Sequence, residues 1–443
     1  MATVDTTALA AQFKRVYGDT ITELYRRQTI TYNQFEESKR KASIRPGGVG
    51  YYFSLAEGDP GNPGGRGEGV LLPEPLAPEG VQGVITPRLI YSPVRMSGLA
   101  LEAGKSNTEA FVATQGDITS RAYKALVEDQ NRQCWGDGYG LLGTTSAAAT
   151  SSAGATWDVV CDNDRGVRYF RKGMIVDFYE GATLAADAGA ACRIASINPN
   201  TRTLTMAILA DTYRSTHPLA AISGSSITAG AIASGAFIVR YGARLATHAT
   251  TNASYEISGL NAMHDDGTLL ASFEGITIAS DPEFKGNILD NGGTNRPLSI
   301  DLMLAAMDMG YARSTMDSNI IRMGLGQRRK YFDLLSSDIR FAPTKLEGGY
   351  ETLSFSQNAA VKILIDPMTQ PNRLYFEPDG AIKKYELTPI GWGGFDANKM
   401  HWRSGYDEAD LFLRTYTNLG VENRPALTVL DDLTEPVGAT MPF

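Results

Sequence analysis

Residues 46–83 read PGGVGYYFSLAEGDPGNPGGRGEGVLLPEPLAPEGVQG, and the fold turns on how that stretch is read. It holds 11 Gly and six Pro in 38 positions, a density that excludes a helix and gives turns and extended backbone. Strand-like sequence flanks the dense part: Gly50–Leu55 (GYYFSL) before it and Val84–Met96 (VITPRLIYSPVRM) after it. Pro87 and Pro93 cannot donate to a ladder, so the second run reads as an edge or a two-stranded ribbon. The whole reads as a long hairpin-like arm with an irregular tip. A two-stranded ribbon is marginal in water by itself, so this arm needs another surface to lie on. The apolar group Val70-Leu71-Leu72 at the tip argues against plain disorder.

Downstream, Ser106 and Glu109 match the capping box S-x-x-E, and Phe111, Ile118, Ala122, Ala125 and Leu126 share roughly one face of a helix. Gly136 is its expected stop, and Gly116-Asp117 is a point where it could bend. The polar side carries Asp117, Arg121, Lys124, Glu128, Asp129, Asn131 and Arg132, which reads as a spine crossing a flat surface with that side in solvent. Past the small-residue linker 143–156, the period changes to that of strands: Trp157–Val160, Val167–Phe170, Met174–Tyr179, Cys192–Ser196, Thr203–Ile208 and Ala236–Tyr241. Residues 157–247 are expected to form a small barrel or sandwich, with a second small-residue tract at 221–235. The last third mixes a helix opened by Pro297 and Ser299 and closed by Gly310, a second amphipathic stretch Gly324–Ser336, and strands at Asn319–Met323, Tyr350–Phe355, Val361–Ile365, Arg373–Phe376, Ile382–Leu387 and Phe412–Thr417. That alternation predicts a sheet with helices packed on it.

Upstream, Ala8–Arg27 places Leu9, Phe13, Val16, Ile21, Leu24 and Tyr25 near helical spacing, interrupted by Gly18, which predicts two short helices. Such a segment either packs on its own domain or reaches a neighbour. Residues 1–41 carry a net charge of +2, leaving −10 for the remainder of a chain whose total is −8. A chain that acidic is not a general nucleic-acid binder, so any such contact must be local.

The 443 residues, 43% apolar and 20% charged, exclude a disordered chain, a fibre and a coiled-coil rod. No apolar run approaches a membrane span, and no secretory signal is expected. Cys134, Cys161 and Cys192 form neither a metal-ligand spacing nor an even disulfide set, which fits synthesis in a reducing cytoplasm.

No catalytic, cofactor or metal constellation stands up. Gly138–Gly143 spells G-x-G-x-x-G but follows a helix and precedes a linker, so a tight turn is expected there. Asp162–Gly166 lacks the glutamate of a calcium loop and reads as a β-turn. His264-Asp265-Asp266 reads as a solvated turn, and His217, His248, His264 and His401 are scattered. What remains is structural: an arm that cannot fold alone, a spine, an N-terminal arm and a β module. That set suits a subunit built to interlock with copies of itself.

The arrangement resembles the major capsid protein of tailed bacterial viruses, with the α+β Hong Kong 97-type phage capsid fold. The resemblance runs in order through the N-terminal stretch 8–40, the hairpin 47–97, Asn107–Gly138 with its phrase DQNRQCWGDGYG, and Phe170–Met174. It continues through Ala236–Gly242 with SYEISGL at 254–260, Tyr331-Phe332, Gly348–Tyr350, Leu374–Phe376 and the close Ala409–Gly420 with Leu427–Thr434. It implies an N-terminal arm (1–45), an extended loop (46–98) and a peripheral domain with the spine helix (99–150). An inserted all-β domain (151–250), a return to the peripheral domain (251–298), an axial domain (299–395) and C-terminal strands returning to the peripheral domain (396–443) would follow.

The function so implied is an icosahedral shell of pentamers and hexamers around double-stranded DNA, formed in the bacterial cytoplasm and ending in the virion. Its partners would be other copies, a portal, a separate scaffolding protein and a decoration protein, with no enzyme activity, no cofactor and no membrane. With forty residues before the hairpin, no cleaved scaffolding segment is expected, unless the gene product is longer than this chain. Some members of the family weld subunits through a lysine in this loop. No lysine lies between Lys41 and Lys105, so a non-covalent lattice is expected. Candidate contacts between copies are Tyr52, Phe53, Glu57, Asp59, Arg66, Glu68, Val70, Leu71, Leu72, Glu74, Glu79 and Arg88. Candidates for the DNA side are Lys14, Arg15, Arg26, Arg27, Lys39, Arg40 and Lys41, which could equally neutralise acids on adjacent copies. Alternatives are an encapsulin-like shell around protein cargo and a phage tail or baseplate protein.

Overall fold

The computed structural model describes residues 31–45, 48–56, 61, 64–71, 77, 79–99, 108–151, 156–162, 165–180, 183–184, 192–208, 232–241, 255–336, 352–353, 361–393, 401–402 and 404–435. The expected helices of Ala8–Arg27, the Ser106 cap and most of the tract 221–235 lie outside these residues.

One helix, Thr108–Gln133, runs unbroken through Gly116-Asp117 for 26 residues, about 39 Å at 1.5 Å per residue. It packs against strands Arg88–Ser97 and Glu408–Val421. Gly136 follows its last turn, and Gly138 and Gly140 adopt φ of 86° and 81°. The G-x-G-x-x-G phrase is therefore a left-handed turn into strand Leu141–Thr144. The expectation of a solvated polar side fails in the helix's last turns. Glu128, Asp129, Asn131 and Arg132 are buried, with Gln130 and Gln133 beside them. Asp129 and Glu256 share the Arg132 guanidinium at 2.9 and 2.6 Å.

The helix lies on a five-stranded sheet. Strand Glu408–Val421 is its axis, with Ile382–Trp392 and His401–Trp402 on one side and Arg88–Ser97 on the other. Glu36–Glu37 adds a short parallel strand beside Lys383–Lys384. The run Val84–Met96 is thus not one strand of a ribbon. It divides at Thr86-Pro87: Gly80–Ile85 pairs with Gly48–Ala56 in the hairpin, and Arg88–Ser97 joins the large sheet. Among the described residues Arg88–Ser97 pairs only with the long strand, an edge position where Pro93 is tolerated.

A second, mixed sheet runs in the order Asn287–Leu289, Thr428–Leu430, Leu374–Glu377, Ile320–Met323, Val361–Ile365, Thr352–Leu353. Helices Ile300–Ser314 and Leu325–Ser336 accompany it. Ser299 caps the first, its hydroxyl accepting from the Leu302 N–H at 3.2 Å. Gly310 does not end that helix. A Cβ there would come within 3.1 Å of the Ala426 carbonyl, so glycine serves close packing, and the stop falls at left-handed Thr315.

The third sheet is antiparallel, in the order Leu141–Thr144, Phe237–Arg240, Ile175–Glu180, Cys192–Asn198, Thr203–Ile208, Thr156–Val160, Thr150–Ser151, with its own core around Trp157, Phe178, Ile194, Met206 and Ile238. A bridge between Thr145 and Cys161 returns the first strand to Thr156–Val160, so the sheet closes into a small barrel. The sheet takes in Leu141–Thr144, ahead of the start at 157 read from sequence. Val167–Phe170 is a turn rather than a strand. Its apolar groups plug the barrel, while the Tyr169 hydroxyl and Arg168 bond the carbonyls of Met368 and Thr369. All three cysteines are buried, and none of them is in a disulfide.

The His264-Asp265-Asp266 turn is not solvated at its first two residues. His264 is buried, its Nδ1 2.9 Å from the Leu260 carbonyl, and the Asp265 carboxylate accepts the N–H groups of Gly267, Leu269 and Leu270. Burial lowers the imidazole from 6.5 to about 4. Between those values the unfolded chain binds a proton that the folded chain refuses. Stability therefore falls as pH drops through that window, by about 3 kcal/mol in all. Urea midpoints at neutral and acid pH, in the parent and in His264→Leu, should differ by this component. An identical pH dependence in both would refute it.

Candidate assembly surfaces

Four features of the described chain bear on contact with other molecules. The first is the root of the hairpin. Tyr51, Phe53 and Ile85 are 3%, 3% and 1% exposed. Tyr51 meets Tyr385 at 5.1 Å between ring centroids, and Phe53 meets Phe284 at 6.4 Å. Burial of such a side chain stabilises by roughly 1.5–3 kcal/mol, so the root is pinned to its own chain. Phe53 therefore offers no surface to a neighbour, contrary to the sequence reading. Tyr52 and Arg88 are half-buried, and burial pulls the Arg88 guanidinium below its ordinary range.

The second is the tip. Gly69, at φ 77°, and the Val70 N–H to Gly67 carbonyl bond make a turn that presents Val70 and Leu71, 58% and 88% exposed. Arg66, Glu68 and Glu79 are exposed around it. Glu57, Asp59, Leu72 and Glu74 lie outside the described residues.

The third feature is the open face of the large sheet. On the long strand, Asp410, Phe412, Arg414 and Tyr416 alternate with buried Leu411, Leu413 and Thr415. Register places Arg95, Pro93, Tyr91 and Leu89 opposite those four. Tyr91 stands edge-on to both Phe412 and Tyr416 at 6.3 Å, and the Arg414 guanidinium lies 5.7 Å over Tyr416. Leu89 and Tyr91 are 56% and 50% exposed. The Arg95 guanidinium grips Asp410 through both oxygens at the rim. Sequence reading missed this face, because its residues sit about 320 positions apart and only strand register collects them.

The fourth is the exit of the N-terminal arm. The Asn131 side-chain oxygen accepts the N–H groups of Thr31 and Tyr32 at 2.9 and 3.1 Å, and its amide donates to Asp366, which also receives the Thr31 hydroxyl. Arg322 donates to Gln34, pairs with Glu377 and lies 4.6 Å over the Phe35 ring. Burial raises the Tyr32 hydroxyl. Residues 31–37 are thus fixed to the end of the long helix and both neighbouring sheets. Beyond them, Lys39, Arg40 and Lys41 are exposed. Arg40 bonds both oxygens of Glu422, at 2.6 and 2.7 Å, and holds that carboxylate below its usual range. Lys14, Arg15, Arg26 and Arg27 lie outside the described residues.

Among solved structures, the cyanophage A-1(L) capsid asymmetric unit is similar at a TM-score of 0.51 and 10% identity, over 96% of this chain and 98% of that one. The chain has the Hong Kong 97-type capsid fold. The capsid of a native GTA particle is also similar, at a TM-score of 0.48 and 10% identity, over 98% of this chain and 100% of that one. No protein-family model and no curated protein matches. On this capsid fold no group of three or more His, Cys, Asp or Glu able to hold a metal ion occurs among the described residues, and no helix among them is long and apolar enough to cross a membrane.

Proposed function

We propose that this chain is the major capsid protein of a tailed virus. Copies form pentamers and hexamers that close an icosahedral shell around double-stranded DNA. The observation that carries this reading is the two-way, near-complete match to a phage capsid subunit. The exposed apolar tip supports it, since Val70 and Leu71 are 58% and 88% exposed. The hairpin is the extended loop, the long helix the spine, the five-stranded sheet the peripheral domain and the mixed sheet the axial domain. The barrel is an insertion that faces outward, where its bulk does not displace genome.

The tip of one copy lies on the aromatic face of the next, and Glu68 and Glu79 pair with basic groups there. The lattice is non-covalent, because the loop lacks the lysine an isopeptide bond needs. Lys39 and Lys41, with the basic residues of the arm, face the DNA, whereas Arg40 is committed to Glu422. A portal, a separate scaffolding protein and a decoration protein complete the particle, which forms in the bacterial cytoplasm.

Electron microscopy of the chain expressed with its neighbouring genes tests the proposal. Closed icosahedral shells that protect DNA from nuclease are expected. Shells that enclose protein and never DNA would replace the genome shell with a cargo compartment, and a soluble monomer in the presence of a scaffolding partner would overturn self-assembly.

A further inference from the structure

Ser272–Phe273 and Ile276–Thr277 form a two-stranded ribbon closed by Glu274-Gly275. Both turn residues have positive φ, 51° and 82°. Asn-Gly is the comfortable pair for such a turn, and a glutamate in its first place is strained. That conformation decides where the side chain goes. The residue is half-exposed at the turn, but its carboxyl is directed inward. Oε1 accepts the Val421 N–H at 3.0 Å, at the end of the long strand, and lies against Gly420, where a Cβ would stand 3.0 Å away. Oε2 is buried without a hydrogen-bond partner. The Glu274 carbonyl accepts the Val84 N–H at 2.7 Å, on the returning strand of the hairpin. One residue therefore ties the root of the hairpin to the end of the long strand.

The charged groups around it come from few elements. Gly80–Ile85 carries no ionisable side chain. From the end of the long strand comes Glu422, held by Arg40 and bonded by the Tyr385 hydroxyl. From the turn Arg424–Ala426 comes Arg424, which donates to the carbonyls of Ala262 and Met263, lies 4.5 Å over the Phe273 ring and sits 3.7 Å from Asp265. Asp266 stands behind it. Burial prevails over the Val421 bond and the Arg424 charge, Glu422 adds repulsion, and the Glu274 carboxyl is pushed well above the usual carboxylate range.

We propose that the hairpin root is a proton-operated latch, in which Glu274 holds the root to the long strand while Oε2 carries a proton, and loss of that proton loosens the root. The latch lies within one chain and does not rest on the capsid reading. The docked root keeps a proton that the loosened root releases. Docking is therefore strongest at low pH and weakens as pH rises through the raised range of the carboxyl.

Hydrogen exchange at the Val84 and Val421 amides of the full chain, corrected for intrinsic rates, tests this from acid to alkaline pH. Protection is expected to fall by about tenfold per pH unit between the ordinary carboxylate range and the raised range of the Glu274 carboxyl, the slope of one proton, and to level off above it. Glu274→Gln cannot ionise and should hold the root at every pH. Glu274→Asp, one methylene shorter, loses the Val421 bond and should leave the root exchanging fast throughout. Flat protection in the parent, the same slope in Glu274→Gln, or full protection in Glu274→Asp would overturn the latch.

Discussion

Arg132→Ala should destabilise the subunit by about 3–5 kcal/mol, the typical loss when one member of a buried charge cluster is removed. Against a whole stability of roughly 5–15 kcal/mol, that removes a large share of the folded state's margin. The size follows from what the guanidinium serves. It donates to Asp129 at 2.9 Å and to Glu256 at 2.6 Å, and it is itself buried. Burial alone would push the Asp129 carboxyl up. Arg132 and Arg240, with the Arg132 and Gln133 hydrogen bonds, outweigh it and hold that carboxyl well below its usual range. At Glu256 burial wins over the same Arg132, and that carboxyl sits above its usual range. Taking Arg132 away strands two carboxyls in a dry junction.

That junction is also where the barrel leaves and returns. Ile257 donates to the Gln133 side chain, Leu260 donates to the Cys134 carbonyl, and a Cβ on Gly259 would stand within 2.7 Å of three carbonyls of the helix end. Chemical denaturation of unassembled subunits measures the loss. A midpoint close to the parent's would mean that water reaches the junction and screens the charges.

The sequence makes some of this legible and hides the rest for definite reasons. Alternation in Thr203–Ile208 and the Ser299 cap are local signals, and each marks its element within a residue or two. The run Glu128–Gln133 is different. A polar helix face looks the same whether water or a distant chain segment satisfies it, and here Thr31, Arg240, Glu256 and Asp366 do so from about 100 or more positions away. The division at Thr86-Pro87 is hidden for a related reason. An apolar alternating run suits the hairpin and the large sheet equally, and only the partner strand distinguishes them. Val167–Phe170 has strand composition because it fills the barrel's end, which burial requires and pairing does not. Of the candidate assembly surfaces, the tip is readable because its apolar group stands alone among Gly, Pro and Glu. The aromatic face is not, since Tyr91 and Leu89 meet Phe412 and Tyr416 only through register.

Leu71→Asp should leave the folded subunit unchanged and abolish shell formation at concentrations where the parent assembles. The first half follows from exposure and the second from the proposed seat of the tip on a neighbouring copy. Leu71 is 88% exposed, so a charge there costs its own chain almost nothing. In the shell, the same side chain would be buried on a neighbour's aromatic face. A leucine buried at a contact contributes roughly 1.5–3 kcal/mol, and each 1.4 kcal/mol is about tenfold in affinity. Aspartate forfeits that and adds the desolvation of a carboxylate, so the subunit concentration at which shells appear should rise at least about tenfold.

Phe53→Ala supplies the contrast. Phe53 is 3% exposed against its own Phe284 and core, so this change should destabilise the subunit itself, by about 3–5 kcal/mol, and lower its melting temperature. Light scattering for shells and thermal unfolding for subunits separate the two behaviours. Leu71→Asp shells forming at the parent's concentration would remove the tip from the interface. A Leu71→Asp subunit that melts early would place the tip against its own chain. The pair of variants thus distinguishes a hairpin whose root belongs to one subunit and whose tip belongs to the next.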